Sequence, residues 1–250
     1  MRNAWALFVL LLAMGLAVAA AGPAPGKPVV RDPARILFIG NSLTEWTDIP
    51  KRLASVAQAT GRSLTVESIA YPDYSLADHL AEGTATRAIA KGWDVVVLQQ
   101  GPSSQPASRT ELVESVRRFS EAIRASGAKP AVYMVWPLAS RKRDFPAVIA
   151  SYRAAAVASD AILIPAGEAW LRAFTEEPKL ALYSDSIHPS SLGGDLAVLT
   201  MYFSLFPAGP QEFDEAFVAK IARALDLPAA RRDLFFDAAT RAIDLPLAIQ

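Results

Sequence analysis

The sequence predicts an α/β fold, a three-layer sandwich with one five-stranded parallel sheet between two layers of helices. Three observations predict it. Five short apolar runs are spaced along the chain, helix-length amphipathic segments separate them, and Gly, Pro and Asp punctuate the junctions. Arg35–Ile39 is the first run and ends at Gly40. Asp48 and Pro50 then open a helix that should reach about Thr60, before Gly61. Leu64–Ile69 reads as the second strand and Tyr71-Pro72-Asp73-Tyr74 as a turn. The stretch from Ser75 to Ala90 reads as helical with a break near Gly83.

Asp94–Leu98 is the third strand, followed by a loop over Gly101–Pro106. Ser108 is expected to cap a long amphipathic helix that ends near Gly127. Ala131–Val135 is the fourth strand. Asp144-Phe145-Pro146 opens a helix to about Ser159, and Ala161–Ile164 is the fifth strand. A helix around Glu168–Phe174 follows. Ser191 is expected to cap an apolar helix to about Phe206, and Asp214–Leu225 and Ala229–Ile243 complete a helical tail. No internal repeat or interdomain linker interrupts residues 35–250, which read as one domain. In such sheets, sites form at the carboxyl ends of the strands.

Composition narrows the chemistry. Lys plus Arg and Asp plus Glu number 25 each, so no basic field is available for a phosphate backbone and a nucleic-acid partner is not expected. There is no cysteine and there are two histidines, His79 and His188. A thiol nucleophile, a zinc–thiolate site, a lipid anchor on cysteine and a multi-histidine metal site are thereby excluded. No metal or cofactor is expected. Residues 1–21 read as an export signal: Arg2, the apolar Ala4–Leu16, and the small residues Ala17-Val18-Ala19 and Ala19-Ala20-Ala21 suited to cleavage. Residues 22–34 are a Pro/Gly-rich lead-in. The expectation is a chain exported to the periplasm or beyond, with no stable membrane span once processed; retention of the signal as an anchor is the alternative. Oligomeric state is not legible.

Two short blocks carry the chemistry. Gly40-Asn41-Ser42-Leu43-Thr44 follows the first strand, where Gly40 permits a tight turn and Ser42 meets backbone N–H groups at a helix start. Such a serine alone is common in strand-to-helix loops. Asp185-Ser186-Ile187-His188-Pro189 supplies what it lacks, a base near neutral pKa and a carboxylate three residues away to orient it.

Together these blocks resemble the SGNH/GDSL hydrolase family, in which Gly-Asp/Asn-Ser-Leu near the N-terminus carries the nucleophile and Asp-x-x-His-Pro near the C-terminus the other triad members. The resemblance covers roughly residues 35 to 206. It implies a flavodoxin-like sheet, acyl-ester hydrolysis without metal or cofactor, and Ser42, Asp185 and His188 as the triad. The middle blocks depart from the family pattern. Where the family has an oxyanion-hole glycine after the second strand, this chain has Ala70-Tyr71-Pro72-Asp73-Tyr74-Ser75-Leu76, with Asp73 the positional candidate. Where the family has Gly-x-Asn-Asp, the run is Leu98-Gln99-Gln100-Gly101-Pro102-Ser103-Ser104. Counted from Gly101, Ser103 takes the Asn position. The run is also similar to a divergent branch with Leu-Gln-x-x-Ser, which makes Gln100 or Gln99 the amide donor.

His79 is expected to be structural. Trp46, Trp136 and Trp170 are candidates to line a carbohydrate cleft, Trp136 by ending the fourth strand on the site edge. Arg141-Lys142-Arg143 reads as a solvated loop. The expected activity is an exported serine esterase on a small-molecule or carbohydrate ester. The alternatives are a non-catalytic scaffold on the same fold, or a lipase or thioesterase for longer acyl chains.

Overall fold

The structure, a computed structural model, describes residues 30–207 and 213–248. The expected export signal and most of the lead-in therefore lie outside the described residues. Five strands, β1 (Ala34–Gly40), β2 (Leu64–Ala70), β3 (Val95–Leu98), β4 (Lys129–Tyr133) and β5 (Ile162–Ile164), form one sheet in the order β2-β1-β3-β4-β5. Every pairing is parallel. The three-layer, flavodoxin-like α/β architecture expected from the sequence is the one observed.

The apolar runs form the sheet centre because a parallel sheet covered on both faces gives its middle strands no wet side. Ile36 to Ile39 of β1 and Val95 to Leu98 of β3 are all buried. The edge strand β2 differs, being half-buried and carrying Glu67 outward, which discourages further strand pairing.

The helices are α1 (Ser42–Glu45), α2 (Ile49–Ala59), α3 (Leu76–Glu82), α4 (Thr84–Ile89), α5 (Pro106–Ala125), α6 (Phe145–Ala158), α7 (Ala166–Glu176), α8 (Ser191–Leu205), α9 (Glu215–Ala224) and α10 (Ala229–Asp244). Helices α3 to α6 form a continuous packed set, as do α2, α7, α8, α9 and α10. Helix α8 is apolar all round, and Gly193 to Leu205 are all buried. It is enclosed by α2, α7 and α10, as an all-apolar helix must be.

Two expected caps shift. Helix α5 starts at Pro106 with Gln105 as its N-cap, and Ser108 is the reciprocal third-position partner of that capping box. Helix α8 is capped by Ser190, whose hydroxyl accepts from Gly193 N–H at 3.1 Å, and Ser191 is its first residue. Strand β4 ends at Tyr133, so Trp136 lies beyond it. Arg141-Lys142-Arg143 forms part of a short 3-10 helix (Ala139–Asp144), with Arg141 paired to Asp144 at 2.5 Å and the Lys142 ammonium over the Phe174 ring.

The register sets the site. Gly40 pairs with Ala70 and Ile39 with Leu98, so β1, β2 and β3 end level. From this edge β1 connects outward to β2, whereas β3 connects to β4 on the other side. This is the topological switch point where α/β sheets open a crevice.

Candidate active site

Ser42 is placed by the end of β1. Asn41, the last extended residue, caps α1 with its Oδ1 accepting from Leu43 N–H at 3.1 Å, and its Nδ2 donates to Tyr74 O at 3.0 Å. Ser42 is the first residue of α1, so its own N–H has no intrahelical acceptor and points out of the helix start. Gly40 is not in the left-handed region. A Cβ there would lie 2.5 Å from Gln99 Oε1 and 2.6 Å from Thr44 Oγ1, so glycine is required for close approach rather than for a turn.

Gln99 explains that crowding. Its Oε1 accepts from Asn41 N–H at 2.9 Å and from Thr44 Oγ1 at 2.7 Å. Its Nε2 donates to Asn41 Oδ1 at 2.9 Å and to Gln100 O at 2.7 Å. Both amide hydrogens are occupied and the side chain is buried, so Gln99 clamps the serine-bearing turn to β3 and has no hydrogen left for a ligand.

His188 and Asp185 lie on the loop before α8. Asp185 Oδ1 accepts from the N–H groups of Ile187 and His188 at 2.8 and 2.7 Å, and Oδ2 lies 2.7 Å from His188 Nδ1. A carboxylate only accepts, so Nδ1 carries the proton and the neutral ring offers Nε2 as acceptor. That nitrogen is 3.0 Å from Ser42 Oγ. The Ile187 N–H, then the His188 ring and the His188 N–H, hold the Asp185 carboxyl down at about 2, so it is charged at neutral pH. The loop is fixed from outside by Ala139 N–H donating to Ser186 O at 2.8 Å and Trp136 Nε1–H donating to Ile187 O at 2.9 Å.

The other candidate site residues take distinct places. Gln100 faces the cleft. Its Oε1 accepts from Leu76 N–H at 3.1 Å and its Nε2 donates to Ser103 Oγ at 2.9 Å. The second hydrogen of that amide has no protein acceptor among the described residues. Ser103 has a left-handed backbone, φ 54°, and its hydroxyl bonds Gln100 and Gly101 O. Tyr152 and Ser151 of α6 hold the same loop through the carbonyls of Gln100, Gly101 and Ser103. Asp73 also has a left-handed backbone, φ 62°, at an exposed turn beside Ser42.

Ser42 and His188 border two concavities. One, about 430 Å³, runs past Gln100, Ser103, Ser104, Ser108 and Glu111. The other, about 350 Å³, is walled by Trp46, Ala70, Pro72 and Asp73. Trp46 lines the second and stacks on His188, whereas Trp136 and Trp170 are buried and stacked on each other at 3.5 Å. These two support the His188 loop from below instead of lining a cleft. His79 is fully buried, with Nε2 2.7 Å from Gly40 O and its ring against Tyr71 and Tyr74, a structural position. Thr44, Tyr152, Ser151 and Glu111 gave no sequence signal of their own, because each reaches the site only through tertiary packing. No cluster of three or more His, Asp or Glu side chains that could hold a metal ion occurs among the described residues.

A switch-point crevice holding serine, histidine and aspartate in hydrogen-bonded series defines a serine hydrolase. No protein-family model and no curated protein matches the chain. Solved structures do. A protein described as an SGNH hydrolase from Slackia heliotrinireducens is 29% identical over 69% of this chain and 98% of that one, with a TM-score of 0.57. An acetyl xylan esterase variant from Geobacillus stearothermophilus matches at 14% identity over 77% and 96% of the two chains, TM-score 0.55. A protein described as a GDSL-like lipase from Parabacteroides merdae matches at 13% over 81% and 100%, TM-score 0.51. The latter two share the fold. The likeness to the Slackia protein in both sequence and fold supports an assignment to the SGNH/GDSL hydrolase family.

Proposed function

We propose that this chain is an exported serine esterase that removes a short acyl group from a polar alcohol such as a carbohydrate hydroxyl. The observation that carries the reading is the continuous series Ser42 Oγ–His188 Nε2–His188 Nδ1–Asp185 Oδ2, with steps of 3.0 and 2.7 Å. In this mechanism Ser42 Oγ attacks the acyl carbon while His188 Nε2 takes its proton. Asp185 steadies the imidazolium. The tetrahedral oxyanion is held by the N–H groups of Ser42 and Asp73 and by the free amide hydrogen of Gln100. His188 then protonates the leaving alkoxide, and a water deprotonated by His188 releases the acid and restores Ser42.

The short-acyl, polar-alcohol reading is supported by the larger concavity. Its wall sets the Gln100 amide and the Glu111 carboxylate beside Leu43, Pro102, Leu138 and Ile187, a mixed lining that suits a polar alcohol, and the Glu111 carboxylate would lose its water to a long hydrocarbon chain with nothing in return. The acetyl xylan esterase among the solved relatives is consistent with it. Export rests on residues 1–21, and residues 35–250 are taken as the catalytic domain.

The test is a series of p-nitrophenyl esters from acetyl to dodecanoyl, with acetylated sugars alongside. The expected outcome is kcat/KM falling with acyl length and turnover of at least one acetylated sugar. A maximum at octanoyl or longer would replace the reading with a lipase or thioesterase.

A further inference from the structure

The Trp46 indole lies against the His188 imidazole, centroids 4.0 Å apart and planes 16° from parallel. Trp46 is 54% exposed, so burial of its own surface explains little of its placement. Its Nε1–H donates to Ser184 Oγ at 3.2 Å. Ser184 and His188 close one tight loop, with Ser184 N–H donating to His188 O at 2.9 Å. A side chain at the C-cap of α1, four residues after Ser42, therefore grips both ends of the loop that carries the imidazole.

The remaining restraints on the ring differ in kind. Asp185 belongs to the same loop and its side chain is 42% exposed, so it orients the ring relative to the loop and not relative to Ser42. Trp136 holds the backbone at Ile187, not the ring. The Trp46 stack is the contact that fixes the imidazole plane against the element bearing the serine. It also presents a π-face to the ring at the moment it becomes cationic.

We propose that Trp46 is a positioning residue, holding the His188 ring so that Nε2 faces Ser42 Oγ before a substrate arrives. This rests on the assignment of Ser42 and His188 as nucleophile and base. The charged groups around the ring are Asp185 on its loop, Glu45 and Asp73 at the Trp46 concavity and Glu111 in the larger cleft, and none is altered by substitution at Trp46.

The test compares Trp46→Ala, Trp46→Phe and Trp46→Leu in the full chain on p-nitrophenyl acetate, with thermal melting as a fold control and Ser42→Ala run alongside. The expected result is a kcat about tenfold lower for Trp46→Ala, KM within about twofold, and melting little changed. Trp46→Phe, which keeps a stacking ring, recovers to within about threefold of the parent, while Trp46→Leu, which fills the space without one, stays near the alanine variant. Leucine rescuing as well as phenylalanine, a loss confined to KM, or full activity of Trp46→Ala would each overturn the proposal while leaving the triad in place. Undiminished turnover by Ser42→Ala would instead overturn the triad assignment itself.

Discussion

The two halves of the active site are built differently. The serine half is buried and held by long-range bonds: Gln99 reaches from β3 to Asn41 and Thr44, and Asn41 reaches on to Tyr74. The histidine half is a partly exposed loop whose carboxylate, imidazole and backbone bond mainly to one another. Precision at Ser42 is thus a property of sheet register, while precision at His188 is local and added from outside by Trp46 and Trp136. Changes on the serine side should cost fold and rate together. Changes on the histidine side should cost rate alone.

The largest expected effect comes from His188→Ala, which removes the base from a loop that does not depend on the ring for its shape. Turnover should fall by about 10⁴-fold or more while the melting temperature stays close to that of the parent. A comparable loss of melting temperature would erase the contrast between the halves.

Adjacent glutamines sharpen it next. Gln100→Ala removes a cleft-facing amide hydrogen and should lower kcat by about 10²-fold, within the range for one oxyanion donor, and by leaving one buried donor, Leu76 N–H, without its acceptor should destabilise the fold by about 1 kcal/mol. Gln99→Ala leaves the buried Asn41 N–H and Thr44 hydroxyl without their acceptor and should destabilise the fold by about 2–3 kcal/mol in urea titrations. Equal stability losses in the two variants would contradict the assignment of clamp and donor.

The smallest effect concerns how the two halves are tied behind the site. Arg52 of α2 pairs with the buried Asp195 of α8 and reaches Ser191 O. Burial outweighs the Arg52 attraction and pushes the Asp195 carboxyl from 3.8 up to about 7, with Asp226 adding to the rise. The folded protein then binds this proton more tightly than the unfolded chain does. The stability this group contributes is complete below about pH 4 and declines as pH rises towards 7. Asp195→Asn should flatten that decline in melting temperature measured across the window. An unchanged slope would place its origin elsewhere.

How much of this was legible in the sequence follows the same division. The strands were legible because a doubly covered parallel sheet forces continuous apolar runs such as Val95–Leu98. Ser42, Asp185 and His188 were legible because local spacing, glycine before the serine and aspartate three before the histidine, is itself the geometry. Gln99 and Gln100 were not separable. Neighbouring residues leaving a strand point to opposite sides, and only pairing with β1 decides which meets the serine turn and which the cleft. Helix α1 is too short to show a period. Ser190 and Ser191 satisfy the capping preference equally in one dimension. Trp136 and Trp170 looked like cleft residues because sequence cannot show that each would find the other as its stacking partner.

The central claim is that Ser42 is a nucleophile activated by His188. The direct measurement is covalent labelling with a fluorophosphonate probe, followed by mapping of the modified peptide. A single adduct on Ser42 is expected, lost in Ser42→Ala and strongly slowed in His188→Ala. Folded protein with no adduct on Ser42, or an adduct that forms equally fast without His188, would contradict it.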